Sequence, residues 1–76
     1  MQVTELAVGL TDGKGELVRL YDWLAQRKIT VREINLKRQE GSSVKIVLSI
    51  AMPRHFDKAD FLRLQEDIPG VQSVEI

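Results

Sequence analysis

Cysteine is absent from this 76-residue chain. Its absence removes disulfide staples, zinc–thiolate sites and thiol nucleophiles together. Histidine occurs once, at His55, so paired-imidazole chemistry and Ser–His–Asp or Cys–His arrangements have nothing to build on. Aromatic residues are only 5% of the chain, too few for a stacking platform interleaved with basic side chains. An excess of charge is missing as well. Eleven Lys and Arg balance eleven Asp and Glu, which argues against the broad basic face that nucleic acid requires. The longest near-apolar run, Val44 to Met52, is interrupted by Lys45 and Ser49 and is far too short to span a bilayer. No basic region followed by an apolar stretch opens the chain, so no signal peptide is read.

What is present is a hydrophobic fraction of 43%, that of a globular domain. Residues 1–76 read as one domain with no linker, expected to be part of a larger protein. A core this small leaves a domain marginal, and pairing with a second copy is a common remedy.

The periodicities alternate between two and 3.6. Leu6, Val8 and Leu10 give a strand over Val3 to Leu10. The glycines of Thr11-Asp12-Gly13-Lys14-Gly15 mark a tight turn. Leu17, Leu20, Tyr21 and Leu24, widened by Val18 and Ala25, predict a helix from Glu16 to Arg27, with Trp23 beside the stripe. Ile29 and Val31 have one parity and Ile34 and Leu36 the other. A second strand, Ile29 to Arg38, therefore needs a bulge at Arg32 or Glu33. Gln39 to Ser43 forms a polar hairpin connection. Val44, Ile46, Leu48 and Ile50 alternate strictly; with Val47 and Ala51 on its other face, this strand suits a central position or a partner.

Asp57 is a helix N-cap, with Phe56 and Phe61 spaced as a hydrophobic staple. Phe61, Leu64 and Ile68 predict a second helix, stopped by Pro69-Gly70, and Val71 to Ile76 a last strand. The order is βαββαβ. Right-handed crossovers then give an α+β, ferredoxin-like, four-stranded antiparallel sheet with both helices on one face.

Several segments together resemble the ACT-domain family. Leu10-Thr11-Asp12-Gly13-Lys14-Gly15-Glu16-Leu17 is similar to its opening turn, Lys28-Ile29-Thr30-Val31 takes the place of its Gly-Ile-Asn-Ile segment, and Pro69-Gly70-Val71-Gln72-Ser73-Val74 resembles its closing Gly-Val-x-x-Val strand. Met52-Pro53 and the Pro-Gly-Val ending look most like the C-terminal cytoplasmic domain of MgtC/SapB-type membrane proteins. This resemblance implies a regulatory domain on the cytoplasmic side of an inner-membrane protein linked to magnesium homeostasis.

In amino-acid-sensing ACT domains the turn and second strand frame an effector at a dimer interface. That resemblance makes Asp12, Gly13, Lys14, Gly15 and Thr30 the candidate effector-binding residues. Here the family's Asp-Arg-Pro-Gly reads Asp12-Gly13-Lys14-Gly15, and its asparagine is Thr30. Both departures weigh against a small-molecule effector. No metal cage is legible, so no cofactor and no magnesium site are expected. An acylphosphatase-like enzyme on the same topology would want an arginine in the turn, where Lys14 stands. The expected function is a non-catalytic regulatory module that pairs as a homodimer through its sheet. The cluster Arg27, Lys28, Arg32, Lys37 and Arg38 reads as a solvated face.

Overall fold

The computed structural model describes residues 1–11, 15–38, 41 and 43–76. The strands are β1 (Gln2–Leu10), β2 (Thr30–Arg38), β3 (Val44–Met52) and β4 (Val71–Glu75). Helix α1 spans Glu16–Gln26, and a 3-10 segment, Lys58–Arg63, runs into a single α-turn, α2 (Leu64–Asp67). The sheet is antiparallel throughout in the order β2-β3-β1-β4, the ferredoxin-like arrangement expected from the element order.

Strict alternation makes β1 and β3 the sheet's centre. They pair without interruption from Gln2↔Met52 to Leu10↔Val44, which brings Leu6 opposite Leu48 and Val8 opposite Ile46. These four side chains are completely buried beneath the helices. At roughly 1.5–3 kcal/mol for each large apolar side chain removed from water, this layer and the helix residues over it dominate the stability.

In β2, Val31 pairs with Ile50 and Glu33 with Ser49, so Arg32 is the extra residue. The bulge lets Val31 and Ile34 face the same side despite their odd spacing. Only Val31 packs against the core. Ile34 and Leu36 remain 39% and 57% exposed, because they lie on an edge strand.

The apolar stripe of α1 is rotated from its expected position. Leu20, Trp23 and Leu24 are buried and Leu17 is half-buried, whereas Val18, Tyr21 and Ala25 are exposed. Trp23 faces the second helical segment, with its ring centroid 6.0 Å from that of Phe61. That contact, together with Leu20 and Leu24, sets which face turns inward.

The second helix also departs from expectation. Phe61 and Leu64 are both buried and three residues apart. In a 3-10 helix that spacing stacks side chains on one face, much as it makes them neighbours on an α-helix. The wider Leu64–Ile68 step coincides with the one α-turn. Asp57 caps as expected, its carboxylate accepting from the Ala59 N–H at 3.0 Å. Phe56 and Phe61 complete the staple with centroids 4.9 Å apart.

Candidate functional site

Of the five candidate effector residues, Asp12, Gly13 and Lys14 lie outside the described residues. Gly15 precedes α1 with φ +79°, a conformation that favours glycine, and as the N-cap residue it offers the helix no side-chain cap of its own. Thr30 is exposed, opens β2 and stands opposite Ala51. The eleven residues of α1 separate the two, a rise of about 16 Å at 1.5 Å per residue. One chain therefore does not bring Gly15 and Thr30 together. The antiparallel path dictates this: the turn that holds Gly15 lies at one end of the sheet and the start of β2 at the other.

The start of α1 is built as a tight support. The Thr11 N–H and hydroxyl both donate to the Gly70 carbonyl, at 2.8 and 3.0 Å, fastening the end of β1 to the Pro69-Gly70 turn. Glu16, in the first helical turn, is 7% exposed and lies directly over Gly70. A Cβ at Gly70 would collide with the Glu16 carboxylate, and Gly70 has φ +98°. A negative charge suits the positive end of a helix, but Glu16 Oε1 is buried with no hydrogen-bond partner among the described residues. The sequence marks Glu16 as acidic in a first turn; nothing in it signals burial.

At the other end of α1, Trp23 Nε1 donates to Asp67 Oδ2 at 2.8 Å. The Arg27 guanidinium lies 3.6 Å from the indole centroid, and its Nη1 donates to the Trp23 carbonyl at 2.9 Å. This layered clasp joins α1 to α2. It places Trp23 over the core edge and uses Arg27 from the basic cluster. Spacing alone could not reveal it, because Trp23 and Asp67 are 44 residues apart.

The sheet face away from the helices carries Glu5, Glu33, Asn35, Lys37, Lys45, Ser49, Ser73 and Glu75 among the smaller apolar residues Val3, Ala7 and Val47. A shallow recess of about 540 Å³ opens there beside Gly9, Lys45, Ser73 and Glu75. Gly9 leaves room for the Ser73 hydroxyl, which a Cβ would meet at 2.5 Å. Among the described residues, no three His, Asp or Glu side chains gather as a metal site. His55 is exposed in the turn after β3. No helix among the described residues is long and apolar enough to cross a membrane.

No family model and no curated protein matches the chain by sequence. Solved structures match by fold. The C-terminal domain of the MgtC protein from Mycobacterium tuberculosis superposes with a TM-score of 0.76 at 19% identity, covering 99% of this chain and 84% of that one. The ACT domain of GTP pyrophosphokinase from Chlorobium tepidum gives 0.66 at 17% identity, covering 96% and 94%. A formyltetrahydrofolate deformylase from Pseudomonas putida KT2440 gives 0.74 at 16% identity, but this chain spans only 29% of that enzyme's length. With its βαββαβ order, β2-β3-β1-β4 sheet and whole-length superpositions, the chain has an ACT-like fold resembling the C-terminal domain of MgtC.

Proposed function

We propose that this chain is a non-catalytic regulatory module that pairs with a second copy of itself and modulates a larger protein of which it is a part. The observation that carries the reading is the superposition on the MgtC C-terminal domain over 99% of this chain and 84% of that one. The larger protein, on this reading, is a membrane protein of the MgtC/SapB type with the domain on its cytoplasmic side, linked to magnesium homeostasis. The exposed Val18, Tyr21, Ile34 and Leu36 support pairing, since they leave apolar surface unused in a small domain. Regulation by a bound amino acid fits less well, because Lys14 and Thr30 stand where the resembling family has proline and asparagine. A catalytic role would need a nucleophile or base held by an orienting partner, and His55 stands exposed in a turn.

Sedimentation equilibrium tests the pairing: the chain should run as a dimer at micromolar concentration. A clean monomer at high micromolar concentration would remove the pairing role. The full-length gene product tests the context, which requires membrane-spanning helices in the same polypeptide. A full-length product without them would exclude the MgtC/SapB-type context.

A further inference from the structure

We propose that the sheet face away from the helices carries a shallow site for a phosphorylated sugar, with Lys37, Lys45 and the Ser73 hydroxyl holding the phosphate. The site is separate from the pairing proposed above and does not depend on it.

Strand register assembles the site. Lys37 pairs with Lys45, Lys45 with Gly9 and Gly9 with Ser73, so one row crosses all four strands on this face. Two lysines stand directly opposite each other in that row, an arrangement that repels. Among the described residues no acid relieves them, since the ion pairs are Arg27–Asp67 and Arg63–Asp60, both elsewhere. Glu5 and Glu33 gather instead at the far end of the face, where they flank Ser49. That end lies about 13 Å along the strands from the lysines. The fold thus separates charge on this face and leaves the lysine end uncompensated.

Gly9 opens the floor between the binding groups. β3 and β4 flank β1, so the Lys45 and Ser73 backbones are two strand spacings apart, about 9.6 Å. Gly9 has no side chain to fill that gap. The Ser73 hydroxyl leans into it, 2.5 Å from where a Cβ on Gly9 would lie. Half-buried Lys45 lines the same recess from the other side. A phosphate seated between them accepts from the ammonium and the hydroxyl together.

The recess decides what the phosphate is attached to. Its volume of about 540 Å³ exceeds what a bare anion needs and falls within the roughly 300–1,000 Å³ of small-molecule clefts. Ser43, Gln72 and Glu75 make its remaining walls mainly polar, beside Val44. Glu75 repels a second phosphate and accepts hydrogen bonds from hydroxyl groups. A nucleobase needs an aromatic surface to stack on, and Tyr21, Trp23, Phe56 and Phe61 all lie in or beside the helical segments. A hydroxyl-rich body therefore fits and a nucleobase does not.

Glucose 6-phosphate is a suitable probe, compared with glucose and inorganic phosphate by backbone-amide NMR titration at low salt. Glucose 6-phosphate should produce saturable shifts at Gly9, Lys45 and Ser73 and bind several-fold more tightly than inorganic phosphate. Glucose should produce none. Lys45→Gln should weaken binding about tenfold, the loss of one charge-assisted hydrogen bond. Lys37→Gln should weaken it about threefold, because exposed Lys37 is better screened. Neither side chain belongs to the core, and the amide spectrum itself reports whether each variant is folded. Lys58→Gln, at an exposed lysine in the 3-10 segment, should change nothing.

Absence of saturable shifts with glucose 6-phosphate, or an affinity that ignores both Lys45→Gln and Lys37→Gln, would overturn the site. Equal affinity for inorganic phosphate would overturn the sugar assignment and leave an ion contact only. Tighter binding of a single-stranded RNA oligomer at the same lysines would overturn it in favour of a nucleic-acid backbone.

Discussion

Trp23 and Asp67 meet through one 2.8 Å hydrogen bond, from the indole N–H to the carboxylate, and that bond locks the rotation of α1 about its own axis. Trp23 is 6% exposed, so losing its acceptor leaves a buried donor unmatched. Asp67→Ala should destabilise the domain by about 1 kcal/mol. The accompanying Arg27–Asp67 ion pair, 3.8 Å long and partly exposed, adds little. Chemical denaturation followed by Trp23 fluorescence measures the loss, and an unchanged midpoint would show that the bond is dispensable. Because Arg27, Trp23 and Asp67 share contacts, Arg27→Ala combined with Asp67→Ala should be non-additive.

Lys28 closes α1 in the left-handed region, with φ +62°. The Lys28 N–H reaches the Ala25 carbonyl at 3.1 Å and the Ile29 N–H the Leu24 carbonyl at 3.0 Å, the paired bonds of a Schellman cap. That corner normally belongs to glycine, and the resembling ACT segment has glycine there. Lys28→Gly should stabilise the domain by about 0.5–1 kcal/mol, relief of side-chain strain exceeding the added freedom of the unfolded chain. For a domain of this size the gain corresponds to a rise in Tm of roughly 4 °C. A fall in Tm would mean that Lys28 makes a compensating contact.

Gly70 and Gly15 separate two costs. Both have positive φ, but only Gly70 has a neighbour where a side chain would go, the Glu16 carboxylate. Gly15→Ala should cost on the order of 1 kcal/mol from backbone strain alone. Gly70→Ala should cost clearly more, because the carboxylate must also move. The same thermal melts rank them, and equal losses would contradict the close packing of Glu16 on Gly70.

Calorimetric titration with magnesium or calcium should show no saturable heat, because the described carboxylates do not converge into a set of hard-cation ligands. Sub-millimolar binding would reverse this reading. A thermal-shift screen of the twenty amino acids should leave Tm unchanged, since a ligand bound only to the folded state must raise it. One saturable shift, lost in a still-folded Gly15 variant, would restore amino-acid sensing.

The sheet was legible in the sequence because period-two patterning fixes which face is buried. β1 and β3 follow their alternation residue by residue, and the parity break at Arg32 announces the bulge. The helices were harder. Val18, Tyr21 and Ala25 fit the helical period as well as the buried residues do, and only the contacts of Trp23 with Phe61 and Asp67 decide between them. The 3-10 winding of Lys58–Arg63 leaves no mark in the pattern, because Phe61 and Leu64, three residues apart, would share a face in an α-helix as well. The burial of Glu16 has no local signal for a similar reason, since it packs on Gly70, 54 positions away (70 minus 16). The exposure of Ile34 and Leu36 was hidden because they look like core residues until β2 is known to be peripheral.

The strand order also bears on how the chain comes off the ribosome. β1 is made first yet occupies an interior place, and its full-length partner β3 begins more than thirty residues later. Until β3 emerges, Leu6, Val8 and Leu10 have no strand to shelter against. The β2–β3 hairpin, by contrast, joins neighbours in sequence and needs only a short loop closure. Synthesis thus delivers a waiting strand, then a hairpin able to assemble locally, and lastly β4. Completion of the fold depends on β1 slotting beside β3 late, which makes the nascent N-terminal half the segment most in need of protection from other chains.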